Sequence, residues 1–476
     1  MNQRLLPLCL AFSLFAVACG SDDLVESTSV AGPDSSTTTT TTTTLAPRGW
    51  LEGDDLAWSG GADGEWLSLA PAEGSSADED AATSGSVDRA YSEEGALSFD
   101  DISPVPPINN SPLSAGAIND AEDVEAFLDY RTLITDAGVA VRPLDLSDST
   151  VFTVIGSNGL PVLDAQIEFW HPADDRSGSP ELTLPTTADG SVRFTPAAMA
   201  ESWSDLDAVV RVGDTTIDAD FEWGAADVTV NIDVPGGVDG AVPLDVHFVL
   251  DATGSMGDEI ARLRDNMTQV AEQVSALPSA PDVRFGMTVY RDEGDTFVTR
   301  NFDLTGDLQE FLAALDDVVA EGGGDYAEAM DEALADALAL PAWRRDGAVQ
   351  LMFVLADAPP QVNRQVETPY TATAIAAAEA GVKIFPVAAS GTDDQAEYAM
   401  RDIAFVTGGR FVFLSYGVDG TATGGSTDIG ADDFDELPLD QLVVQLIADE
   451  LGALNGTSGQ PVATTTTIAP TTTFEQ

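Results

Sequence analysis

The stretch LDVHFVLDATGSMGDEI, residues 244–260, decides the architecture. Val246 to Leu250 is a short apolar run rich in β-branched and aromatic side chains, the pattern of a strand buried on both faces. Asp251, Thr253, Gly254 and Ser255 form a small polar turn. From Asp258 to Leu277 the apolar positions then recur at helical spacing. A strand that runs straight into a helix is half of a βαβ unit, and the alternation continues downstream. Strand-like runs at Arg284–Tyr290, Val349–Leu355, Lys383–Val387 and Arg410–Leu414 alternate with helical patterns. The helices are expected at Leu308–Val319, Ala327–Leu340, Thr371–Ala380, Ala396–Phe405 and Leu439–Leu451. Over residues 240–455 this predicts an α/β domain with a doubly wound, mostly parallel sheet covered on both faces. Thr296–Phe302 follows a short acidic turn and is expected to pair antiparallel at one edge.

In such sheets ligands gather at the carboxyl ends of the strands, and there the chain is rich in oxygen donors. Asp251, Thr253 and Ser255 alternate after the first strand. Gly322-Gly323-Gly324-Asp325 precedes the Ala327 helix, and Asp357 follows the Val349 strand. Three carboxylates and two hydroxyls from three loops suit a hard divalent cation. Mg²⁺ asks for six oxygens and keeps some waters, and Ca²⁺ or Mn²⁺ accept the same donors. Singly, each residue has a plainer role, since Asp and Ser cap helices and Gly fills loops. The ordered set across three strand–helix junctions carries the metal reading. Asp292, Glu293 and Asp295, after the second strand, read either as a solvated acidic turn or as a second cation site. The acidic loop Gly417–Asp440 lacks EF-hand spacing and reads as a flexible insertion.

This set, Asp251-x-Thr253-x-Ser255, then Asp325 in its glycine loop, then Asp357, resembles the metal-ion-dependent adhesion site of von Willebrand factor A domains. The likeness covers Val242 to Leu454. The segments DATGSMGDEI, YRDEGDTFVTRNF, GGGDYAEAMDEAL and LADAPP look like the hemicentin-like branch. The resemblance implies a Rossmann-like fold and a binding module, not an enzyme. It implies Asp251, Ser255 and Asp357 as core metal ligands, with Thr253 at the family's first Ser position. An oxygen of an extracellular or envelope protein would complete the shell. Many members carry Thr where this chain is read to carry Asp325. One extra charge about 5 Å from an incoming carboxylate, at an effective dielectric of about 20, disfavours it by roughly 3 kcal/mol.

Upstream, residues 1–19 carry Arg4, an apolar run from Leu5 to Val17 too short to span a bilayer comfortably, and Ala16-Val17-Ala18-Cys19. They resemble a bacterial lipoprotein signal. That implies lipidation of Cys19 and anchoring to the outer face of the cell membrane; ordinary signal-peptidase cleavage and secretion is the alternative. Residues 20–116, with the run Thr37–Thr44, are expected to be a disordered spacer, as is the threonine-rich tail 456–476. Residues 117–146 read as a short helical connector. Residues 147–235 switch to period-two runs punctuated by Asn158-Gly159 and Asp189-Gly190, which predicts a small antiparallel β-sandwich. Their segments GSNGLPVLDAQIEFW and TTADGSVRFTP resemble Ig-like or carboxypeptidase-regulatory-like domains of bacterial surface proteins, which implies a spacer. The sandwich contains no lysine, so a Lys–Asn cross-link within it is excluded.

Composition narrows the function further. The formal charge is −62, from 81 acidic and 19 basic residues. Nucleic acid or an anionic membrane surface would be repelled. Cys9 and Cys19 are the only cysteines, so the body of the chain has neither a disulfide nor a thiol nucleophile. His171 and His247 are too few for a histidine zinc site or a Ser-His-Asp triad. His171 reads as a surface residue and His247 as a hydrogen-bonded core residue. Two rival functions stay open. The Asp251 loop also looks like the aspartyl nucleophile loop of haloacid-dehalogenase-type phosphotransferases, whose chemistry needs Mg²⁺ and a lysine. The sole lysine, Lys383, begins a strand instead of ending one. The other rival is an envelope assembly protein in which the ion only stiffens the loops.

Overall fold

The computed structural model describes residues 51–52 and 114–457, apart from 172–175, 177, 200–205, 223, 325, 390 and 416–436. In chain order the first elements are β1 (Leu51–Glu52), β2 (Ser114–Ile118), α1 (Val124–Asp136), β3 (Thr150–Gly156), β4 (Gln166–Trp170), β5 (Leu182–Pro185) and β6 (Ser191–Phe194). Then come α2 (Pro196–Met199), β7 (Asp207–Val212), β8 (Thr215–Ala219), β9 (Asp227–Ile232), β10 (Pro243–Asp251), α3 (Gly257–Ser275), β11 (Asp282–Tyr290) and β12 (Thr299–Thr305). The rest are α4 (Leu308–Asp316), α5 (Met330–Ala339), β13 (Val349–Ala356), α6 (Tyr370–Glu379), β14 (Val382–Ala388), α7 (Asp394–Thr407), β15 (Phe411–Ser415), β16 (Leu437–Pro438) and α8 (Leu439–Ala453).

The apolar runs of β10 and β13 are buried on both faces because their alternate side chains enter two different cores. Leu244, Val246, Phe248 and Leu250 of β10 join Val349, Leu351, Phe353 and Leu355 of β13 under α3, α4 and α8. Val249, Met352, Val354 and Ala356 point the other way, against α1, α5, α6 and α7. Period two on each strand, with helices on both sides, is the physical content of a doubly wound sheet. The strand order is β1-β12-β11-β10-β13-β14-β15-β2-β16. β11, β10, β13, β14 and β15 are parallel, and β12 is antiparallel as expected for Thr296–Phe302. Buried Asp245 ties the amino end of β10 to two guanidiniums, Arg284 (2.6 and 2.8 Å) and Arg344 (2.9 Å). His247 is wholly buried, with Nε2 at 2.9 Å from Thr288 Oγ1.

Two pieces of the expected disordered spacer belong to this sheet. Leu51–Glu52 pairs antiparallel with Arg300 and Asn301 of β12. Ser114–Ile118, which straddles the boundary drawn at residue 116, pairs with β15 and β16. An edge strand offers backbone N–H and C=O groups to any extended segment, whatever its side chains. Composition therefore could not mark these residues. The connector forms α1, capped by the Asp123 side chain and packed through Phe127 onto Phe405 with ring centroids 4.7 Å apart.

Residues 150–232 fold as two small sheets, β6-β3-β9 and β5-β4-β7-β8. Their inner faces share Phe152, Ile167, Phe169, Phe194 and Val210. β3 and β9 run parallel, which corrects the expectation of an antiparallel sandwich. Alternation specifies which face of a strand is buried but not the direction of its neighbour. The sandwich rests on the end of the main sheet where the strands begin. Arg193 Nε donates to Phe405 O at 3.1 Å, and Asp164 accepts from Gly347 N at 3.2 Å. The carboxyl ends of the strands are left to the loops of the site.

Candidate metal centre

Strand β10 ends at Asp251, whose residue is 0% exposed, and the chain turns at once into a 3-10 turn, Gly254–Met256, that feeds α3. The turn is built by Asp251 itself: its Oδ1 accepts from Thr253 N at 2.9 Å and from Thr253 Oγ1 at 2.7 Å. Thr253 Oγ1 lies 3.4 Å from Ser255 Oγ. Ser255 and Asp357 line the same cavity, and the Ser255 hydroxyl acts to lower the Asp357 carboxyl. The structure thus brings together Asp251, Thr253, Ser255 and Asp357 of the expected set. Asp325 lies outside the described residues.

The glycine loop crosses this turn closely. Gly254 N donates to Gly322 O at 3.2 Å. Gly322 and Gly323 have φ of 83° and 76°, a region that excludes most side chains. Asp295 Oδ2 accepts from Gly323 N at 2.9 Å and from Asp292 N at 3.3 Å, so this acid holds the loop in place. Arg364 pairs with Glu293 at 3.1 Å. The acidic turn 292–295 is therefore engaged in local bonds.

Thr253, Gly254, Ser255, Gly322–Gly324, Tyr326, Glu328, Asp357, Ala358 and Gly391 line one cavity of about 370 Å³. Among these described residues no Lys, Arg or His supplies a counter-charge. Burial pushes the Asp251 carboxyl up to about 7, opposed by the two bonds from Thr253 and reinforced by Asp357. Burial likewise raises Asp357, with the Ser255 hydroxyl lowering it and Glu259 raising it. Asp251 Oδ2 and Asp357 Oδ1 are buried oxygens with no hydrogen-bond partner. Such oxygens are rare, because leaving one unsatisfied costs about 1–3 kcal/mol, and more for a charged group. A hard cation would satisfy oxygens of this kind, so the residues present fit a divalent ion. Among the described residues no three His, Cys, Asp or Glu side chains form a ready-made metal group. The donors brought together are two carboxylates and two hydroxyls.

Two residues here escaped the sequence reading. Glu328, 4% exposed, lines the cavity two residues before α5, where an acid looks like ordinary helix-start chemistry. Tyr326, 47% exposed, stands on the rim with its hydroxyl 3.1 Å from Asp357 O and 2.9 Å from Gly391 O. Only the strand order places these residues beside Asp251. Lys383, the lysine a phosphotransferase would need, is buried among Asp189 and Glu450 and does not line this cavity.

Residues 245–418 match the family model of the von Willebrand factor type A domain. No curated protein matches the chain. Among solved structures it is similar to the conserved hypothetical protein BatB from Bacteroides thetaiotaomicron, at 15% identity and TM-score 0.30, covering 45% of this chain and all of that one. It is also similar to proximal thread matrix protein 1 from the mussel byssus, at 17% identity and TM-score 0.27, over 35% of this chain and 40% of that chain. A third is the pilus adhesin SpaC from Lactobacillus rhamnosus GG in its open conformation, at 13% identity and TM-score 0.29, over 37% and 28% of the two chains. The chain therefore spans less than half the length of the mussel protein and of the adhesin. Residues 245–418, with their mostly parallel sheet between two helical layers, have the fold of a von Willebrand factor type A domain.

Proposed function

We propose that this chain is an extracytoplasmic, cation-dependent protein-binding module. The observation that carries the proposal is the pair of buried oxygens without a hydrogen-bond partner, Asp251 Oδ2 and Asp357 Oδ1, beside a cavity with no basic side chain among its described lining residues. Asp251 and Asp357 neutralise the charge of a divalent ion, Mg²⁺ first, with Ca²⁺ or Mn²⁺ as alternatives. Thr253 and Ser255 add neutral oxygens, and Asp325 is a further acid of the same glycine loop. The bound cation supplies a Lewis-acidic position that an oxygen of a partner protein completes. Tyr326 and the glycine loop form the rim that such a partner meets. The function is recognition, and no catalytic residue is assigned.

Display follows from the chain upstream. Residues 1–19 act as a lipoprotein-type signal, Cys19 carries the lipid, and the threonine-rich spacer carries the domain away from the outer face of the cell membrane. The sandwich, seated at the opposite end of the sheet from the cavity, leaves the site facing outward.

Calorimetric titration of the chelator-treated full chain with Mg²⁺ and Mn²⁺ tests the metal. One saturable equivalent is expected above the weak uptake by surface carboxylates, and Asp251→Ala removes it. A parent chain that takes up no more cation than Asp251→Ala overturns the proposal.

A further inference from the structure

Glu328 is fastened to the mouth of the cavity by its own backbone. Its N–H donates to Pro359 O at 3.0 Å, and it bridges to Pro360, so it is tied to the loop that carries Asp357. Its side chain reaches the glycine loop. A Cβ built on Gly323 would stand 2.8 Å from Glu328 Oε1 and 3.1 Å from Thr253 Cβ. Glycine at 323 therefore lets a carboxylate and Thr253 close on the same piece of backbone. The tyrosine on the neighbouring strand registers this charge too: burial first, then Asp251, Asp357 and Glu328 together hold Tyr290 well above the usual phenol range.

Resting on the cation reading above, we infer that Glu328 is a resident third carboxylate that turns the site away from acidic partners. The site then favours a partner offering an uncharged oxygen, a carbonyl or a hydroxyl. Asp251 and Asp357 balance a divalent charge, and Glu328 adds another carboxylate to the lining of the same cavity. An incoming carboxylate about 5 Å from Glu328, at an effective dielectric of about 20, binds on the order of 100-fold more weakly for that reason. A neutral oxygen meets no such term. Because Glu328 stands off from the Asp251–Asp357 pair, it acts through its field, and its removal weakens the cation without abolishing it.

The test uses the full chain stripped with chelator, at about 0.15 M salt so that distant surface charge is screened. Mn²⁺ is titrated into the parent, Glu328→Gln, Glu328→Thr and Asp251→Ala while water-proton relaxation is recorded. Acetate, N-methylacetamide and ethylene glycol are then added to the Mn²⁺ forms as acidic, amide and hydroxyl probes. Both Glu328 variants are expected to bind Mn²⁺ more weakly than the parent, by at least the roughly 100-fold that the same field costs a singly charged carboxylate. Acetate is expected to change relaxation in the variants at concentrations that leave the parent unmoved. The neutral probes are expected to act on parent and variants alike, and the stronger of the two separates a peptide source from a sugar-like one. Equal acetate responses in the parent and both variants, with Mn²⁺ binding still lost in Asp251→Ala, overturn this inference alone. A parent that binds no more Mn²⁺ than Asp251→Ala overturns it together with the cation reading.

Discussion

Lys383 Nζ lies 2.9 Å from Glu450 Oε2, and the same ammonium reaches Asp189 of the sandwich at 3.3 Å. The chain's single lysine thus joins the start of β14, the end of α8 and the sandwich at one buried point. Burial opposes the ammonium charge, but Asp189 and Glu450 hold it above the usual lysine range. Lys383→Met leaves Glu450 buried and unpaired, and is expected to cost about 3–5 kcal/mol. Adding Glu450→Leu removes the orphaned charge and is expected to recover most of that loss. Urea denaturation of the two variants checks this. A double variant as unstable as the single one would show that packing, not charge, sets the cost.

Removing charge from the site is expected to stabilise the metal-free protein. Asp251 is completely buried, and among the described residues nothing basic lines the adjoining cavity. Asp251→Asn keeps the shape and deletes the anion, so its melting temperature without metal at pH 8 is expected to exceed the parent's. Saturating Mg²⁺ is expected to reverse the order: at about 100 times its Kd an ion adds about 2.7 kcal/mol to the parent and nothing to the variant. Calorimetric melting with EDTA and with Mg²⁺ reads both effects. A parent already the more stable with EDTA contradicts the electrostatic account.

Gly323 is a position where one methyl group reports on the whole loop. Its φ of 76° strains any side chain, and the new Cβ would press on Glu328 Oε1 and Thr253 Cβ. Gly323→Ala is expected to cost about 1–3 kcal/mol and to lower Mg²⁺ affinity. Gly347→Ala, with φ of 61° but open space around its Cβ, serves as the control. It carries the strain alone and is expected to leave Mg²⁺ binding intact. Equal metal affinities in the two variants would remove the loop from the site.

His247 sets an acid limit on stability. Burial holds its imidazole down to about 3, against an ordinary value of 6.5. Between those values the unfolded chain takes up a proton that the folded chain refuses. The histidine contribution is complete above about pH 6.5 and is lost as pH falls toward 3. Its full size is on the order of 5 kcal/mol. His247→Gln retains a polar group for Thr288 and is expected to flatten the decline between pH 6.5 and 4. Parallel pH-stability profiles for parent and variant would exclude the buried histidine as the cause.

The main domain was legible at the level of elements because its patterns are local. The run Val246–Leu250 lies inside β10, Val349–Leu355 inside β13, and Leu439–Leu451 inside α8. Period two and period 3.6 record which side chains face a core, and those are properties of neighbours in sequence. Asp251, Thr253, Ser255 and Asp357 were legible for a related reason: each follows directly on a strand that the pattern marks. The turn of Asp251 is even made by contacts two residues apart.

What tertiary structure alone decided is every partnership between distant segments. The pairing of Leu51–Glu52 with β12 and of Ser114–Ile118 with β15 uses backbone groups that all residues share, so composition hides it. The parallel course of β3 and β9 is likewise invisible to alternation. Glu328 enters the cavity only because the strand order sets the start of α5 beside the Asp357 loop. Lys383 meets Asp189 across 194 positions of chain. Local sequence specifies which faces must be buried and which loops carry oxygens; which charges then face one another is settled by packing, because only packing brings them within reach of each other's fields.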